Sequence, residues 1–143
     1  MLVGLGSVNL TSVLIAAVLS FILGWLWYSP VLFGNPWTKL NGFTKAHMKA
    51  AQKKGMKGML PQMIFSFLCS AVMIYILGIV LMSIGASTVS EAVLAAFVVW
   101  LGFFAATMIN MVLWEGKSFS LYLIAIGHHL AVLVLSAVIL TLW

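Results

Sequence analysis

Four stretches of the chain, 8–28, 60–84, 91–114 and 118–142, carry a single charged residue between them, Glu91 at the end of one. Each is 21 to 25 residues long. At ~1.5 Å per residue, a helix of that length crosses the ~30 Å hydrocarbon core of a bilayer. In hydrocarbon the backbone must satisfy its own hydrogen bonds, so uninterrupted apolar stretches of this length read as helices. The chain is therefore expected to be all-α, an integral membrane protein with one domain over 1–143 and little room for a soluble one. The links between the second and third stretches and between the third and fourth are short, and short turns set neighbouring helices antiparallel. The expected architecture is a four-helix bundle made of two antiparallel transmembrane hairpins, first with second and third with fourth.

Composition agrees: 64% of the 143 residues are hydrophobic and 6% charged, against roughly a quarter charged in a soluble domain. This excludes a cytosolic enzyme, a disordered tail, a nucleic-acid-binding domain and a disulfide scaffold. The one cysteine, Cys69, lies inside an apolar stretch and reads as a packing group. The first stretch has no basic segment before it and ends in Trp25, Trp27 and Tyr28. It reads as a retained helix rather than a signal peptide.

Lysine supplies all the basic charge except the histidines. Lys39, Lys45, Lys49, Lys53, Lys54 and Lys57 lie between the first two stretches, and Lys117 lies between the last two. The positive-inside rule puts both links in the cytoplasm and both termini outside. Trp25, Trp27, Tyr28 and Trp37 then anchor the inner face of the first span, with Pro30 ending its helix and turning the chain along the surface. Thr44 to Gly55 reads as a short basic helix in the cytoplasmic loop 29–59. Its Lys45, Lys49 and Lys53 share a face suited to anionic headgroups, although a merely solvated loop reads equally well. Thr88 and Glu91 match a capping box at the start of the third span.

Small residues recur every fourth position at Ser12, Ala16, Ser20 and Gly24, and again at Gly102, Ala106 and Asn110, as packing surfaces. The costlier polar groups are His128 and His129, ten residues into the fourth stretch, about 15 Å from its inner end. Adjacent residues point about 100° apart on a helix, so the two rings face different neighbours. Ser20, Ser70 and Thr107 fall at the same expected depth, with Asn110 and Glu115 nearer the cytoplasm. These seven residues are candidates for a polar pathway. The competing reading ties the hydroxyls to their own helix carbonyls and leaves Asn110 and one His as glue between helices. A lone His pair is a poor zinc site, so no metal or cofactor is expected. Catalysis lacks its parts as well: there is no Ser-His-acid set, carboxylate pair or phosphate loop. A non-enzymatic protein is expected.

The run Gly24-Trp25-Leu26-Trp27-Tyr28-Ser29-Pro30-Val31-Leu32-Phe33-Gly34-Asn35-Pro36-Trp37 resembles the tryptophan-tyrosine-serine-proline signature of small prokaryotic membrane proteins grouped as domain-of-unknown-function family 1761. Trp100-Leu101-Gly102-Phe103 and Leu113-Trp114-Glu115-Gly116-Lys117 fit as well, so the likeness spans nearly the whole chain. The resemblance implies a four-span protein of a prokaryotic inner membrane and transfers no catalytic residue. Two functions are consistent with the residues. One is a homo-oligomeric transporter or channel-like protein for a small solute or ion; the other is a non-catalytic accessory subunit of a membrane complex. The partners expected are the lipid bilayer, its anionic headgroups and further copies of the chain, with no nucleic acid.

Overall fold

The computed structural model describes residues 6–143, and among them 81% are helical and none lies in a strand. Helix α1 spans Leu10–Trp27, α2 Gly34–Leu40, α3 Lys45–Ser83, α4 Val89–Leu113 and α5 Phe119–Leu142. All but α2 are long and apolar enough to cross a membrane.

Local chemistry sets the ends. Asn9 caps α1 by accepting from the Thr11 amide at 2.9 Å. Thr88 accepts from the Glu91 amide while the Glu91 carboxylate accepts from the amides of Ser87 and Thr88, so the expected capping box is present. Ser118 accepts from the Leu121 amide to start α5. Thr44 caps α3, and here His47 closes the box, its Nδ1 accepting from the Thr44 amide at 3.3 Å.

The segment expected as a basic loop is largely helical. Beyond α2, the basic helix begins at Thr44 as expected, but it does not end in a loop. At Gly55 the backbone takes φ 60° and ψ −176°, a conformation essentially restricted to glycine, and the helix resumes at a new angle into the second span. Pro61 follows inside α3, removing one backbone donor from the ladder.

Helix α5 packs against α1, α3 and α4 and also touches α2. Its buried side chains include Leu121, Tyr122, Ile126, Leu133, Ser136 and Ala137. Ser12, Ala16 and Ser20 of α1 are buried, as the small-residue spacing requires. On α4 the pattern divides. Ala92, Ala96 and Ala105 are buried, whereas Gly102, Ala106 and Asn110 are exposed on the surface of the chain.

Between α1 and α2 the chain makes a tight turn within six residues. Ser29 holds this turn: its hydroxyl donates to the Leu26 carbonyl at 2.7 Å, and its carbonyl accepts from the amides of Leu32 and Gly34 at 3.1 and 2.8 Å. A β-carbon on Gly34 would stand 2.5 Å from the Tyr28 carbonyl oxygen and 2.6 Å from the Ser29 backbone. Those atoms are main chain and cannot swing aside, so Gly34→Ala is expected to lower stability by more than about 2 kcal/mol, seen as a lower unfolding temperature in detergent. Gly6→Ala, with nothing within 4 Å of the added carbon, is expected to change it little.

Candidate functional site

The turn after α1 delivers Trp27 and Tyr28 onto α5. The Trp27 indole N–H donates to the Ile124 carbonyl at 3.1 Å, and from the other side the Trp100 indole N–H donates to the Ile126 carbonyl at 2.7 Å. A carbonyl has two lone pairs, so α5 can accept both bonds without giving up its own ladder. Two tryptophans from different helices thus grip α5 just ahead of His128 and His129.

The grip on the α4 side depends on an irregularity. Leu101–Ala105 form a π-helical turn directly after Trp100. Such a turn disturbs the regular ladder and is often found at functional sites. The Tyr122 hydroxyl donates to the Ala105 carbonyl at 2.7 Å and ties the turn to α5.

The His pair lies in a cluster of rings. His128 has the Tyr28 ring centroid at 5.2 Å, Trp27 at 6.0 Å and His129 at 5.5 Å. His129 turns the other way onto Phe104, at 4.7 Å. The two imidazoles therefore face different helices, as their spacing requires. Tyr28 in turn meets Trp37 at 5.4 Å, and Trp27 meets Phe33 at 4.7 Å, so the signature segment folds into a knob around His128. The Nε2 atom of His128 is buried without a hydrogen-bond partner. A methyl group on Gly24 would stand 3.1 Å from it.

The other expected pathway residues do not gather at this pair. Ser20 lies 3.4 Å from the Ser136 hydroxyl in the core, and Ser136 is about two turns of α5 from His128. His128 is level with the end of α1 rather than its middle, because the first turns of α5 extend beyond Trp27. Ser70 is half-buried on α3. Thr107 donates to the Phe103 carbonyl of its own helix. Asn110 and Glu115 are exposed. Gln62 and Ser66 line a separate groove with His47 and Lys54. Among the described residues, no three His, Cys, Asp or Glu side chains come together as a metal site.

The expected anchors divide in the same way. Trp25 is 80% exposed and Pro30 stands exposed in the turn. Trp27 and Tyr28 pack against the His128 ring, and Trp37 backs Tyr28 from behind. Sequence reasoning missed Trp100, Tyr122, Phe104 and Ser136. For Trp100 and Tyr122 a signal existed: an indole N–H or phenol within a span must find an acceptor, and the nearest available are carbonyls of a neighbouring helix.

A buried imidazole nitrogen without a partner costs free energy that a phenyl ring does not. His128→Phe keeps an aromatic ring in the cluster and is expected to leave the protein as stable or up to about 2 kcal/mol more so, by thermal unfolding in detergent. A clear loss of stability would mean that Nε2 has a partner.

No curated protein and no solved structure matches the chain. The model of the family described as protein of unknown function (DUF1761) matches residues 11–141, from the first turn of α1 to the end of α5. This multi-pass, all-α membrane protein therefore belongs to that family.

Proposed function

We propose that the protein is a non-enzymatic, homo-oligomeric membrane protein whose copies meet along α4, and that any route for a small solute or ion runs along that seam rather than through one chain. The observation that carries this reading is Asn110, exposed on α4 with no hydrogen bond from its carboxamide among the described residues. A carboxamide both donates and accepts, so the same group on a second copy is a matching partner. Gly102 and Ala106 lie on the same exposed face, and Gly102 has open space where a β-carbon would stand. Small residues there let a second backbone approach closely. Helix α4 also has the least cover within the chain: 17% of its apolar window is buried, against 28% for α1, 28% for α3 and 33% for α5. A two-fold pairing of α4 with α4 closes on itself.

The orientation proposed is that of a prokaryotic inner-membrane protein with both termini outside and the lysine-rich segment in the cytoplasm. Neighbouring spans run in opposite directions. Support for α1 and α5 comes from their contacts, Ser20 with Ser136, Gly24 with His128 and Trp27 with Ile124, where numbers rise on one helix as they fall on the other. Lys45, Lys49 and Lys53 rest on anionic headgroups. The second reading, an accessory subunit of a larger complex, uses the same α4 face with a different partner.

Gly102→Trp is expected to block the seam without disturbing the fold of one chain, since its position is open. The assembly mass in mild detergent, read by light scattering, falls to that of a single chain. Asn110→Leu weakens association by about 0.6–2 kcal/mol. Wild-type protein that is already a single chain in native-lipid discs would overturn the reading, and a stoichiometric foreign partner on α4 would favour the accessory role.

A further inference from the structure

A regular helix continued from Ala92 and Ala96 does not give the face that α4 shows beyond Trp100. At about 100° per residue, Phe103, Thr107 and Asn110 fall within about 40° of the direction of Ala96. Ala96 is buried with Ala92 against Leu133 and Ala137 of α5, so an uninterrupted α4 turns those three residues onto α5 as well. Instead Phe103 is 73% exposed, and Thr107 and Asn110 lie on the surface of the chain. Ala105, Met108, Met111 and Val112 take their place beside Tyr122 and Ile126.

The π-helical turn is the cause. It draws the Ala106 amide to the Leu101 carbonyl, five residues back rather than four. The turn accommodates one extra residue, and everything beyond it is set back by about 100°. The short stretch Ala106–Met108 has a second break after it, at Ile109, whose carbonyl takes the amides of both Val112 and Leu113 at 2.9 and 3.1 Å. Both registers give the buried Tyr122 phenol a partner. In the observed one it donates to the Ala105 carbonyl at 2.7 Å. In the regular one Ala105 turns outward, and Thr107, two residues on, comes round to the α5 side, where its hydroxyl can accept the same proton. Either register also lays large apolar side chains on α5, Met108 and Val112 in one and Phe103 in the other.

We propose that α4 beyond Trp100 is a rotary element with two registers, a π-helical one that presents Asn110 outward and a regular one that turns it onto α5, and that the Tyr122 hydroxyl holds the first. Trp100 stays bonded to the Ile126 carbonyl in both, so the part before the turn does not move. The rotation lies within one chain. Its consequence for assembly rests on the reading of α4 as the seam: the regular register withdraws Asn110 and leaves a second copy without its partner.

The test is a scan of oxygen accessibility with single spin labels at positions 105 to 110 of the full chain carrying Cys69→Ala, in lipid discs that hold one copy each. No second chain covers the face there, so the scan reads the rotation whether or not copies pair. The most accessible labels are expected at 106 and 110. Tyr122→Phe keeps the ring and removes the donor, and it is expected to move both maxima back by one residue, to 105 and 109. Deleting Phe103 takes the extra residue out of the turn, which leaves a regular helix with Ala106 and Asn110 still outward. Adding Tyr122→Phe to that deletion then moves nothing. Maxima that stay at 106 and 110 in Tyr122→Phe, or that shift in the deletion variant, would overturn the proposal. Assembly is read separately, by light scattering in mild detergent, where Tyr122→Phe is expected to fall to the mass of a single chain. Copies that stay paired despite shifted maxima, or wild type that is a single chain, would count against the seam and not against the rotation.

Discussion

Hydrocarbon offers no water to a peptide group released from its helix, so each irregularity in a membrane chain must be satisfied by another part of the protein. This chain has its main irregularities at the turn after α1, the bend at Gly55 and the π-helical turn of α4. The hydroxyl and carbonyl of Ser29 bind the first together, and the Tyr122 hydroxyl ties the last to α5. The bend at Gly55 falls between the lysine-rich helix and the apolar part of α3, and there the need is conformational. The departures from regular helix are what place the candidate surfaces. The first brings Trp27 and Tyr28 to His128, the second shapes the groove beside Lys54, and the third follows Trp100 and adjoins the exposed Gly102 face.

Much of the fold is legible in the sequence for the same reason. A stretch without charge, long enough to span, has helix as its available state, and the four spans follow from that alone. The caps at Thr44 and Thr88 are equally local, since a side chain three residues from the helix start either reaches the free amides or does not. The basic segment shows where local reasoning stops. Thr44 and Gly55 both act as punctuation, but whether a glycine ends a helix or bends it depends on what the next residues pack against.

The site was less legible because pairing between spans is set by packing, which one sequence does not display. Counting residues from the ends of the spans places Ser20 level with His128, yet the first turns of α5 extend past α1, and Ser20 meets Ser136 instead. A register error of two turns is enough to disperse an expected polar layer. The π-helical turn has no residue signature of its own, and it shifts the face presented by everything after it. The spacing of Gly102, Ala106 and Asn110 puts them on one face, but nothing in that spacing says whether the face turns inward, like Ala92 and Ala96, or outward, as these three do.

The polar groups fall into an enclosed set around the His pair and an outward set on α4, and the account depends on what covers the outward set. The most direct measurement is the dipolar coupling between spin labels at position 106 in lipid discs containing more than one copy, after the exposed Cys69 is changed to Ala. Facing α4 helices predict strong coupling from position 106 and weak coupling from Leu19, on the exposed side of α1. Uncoupled labels at 106, or stronger coupling from Leu19, would contradict the account.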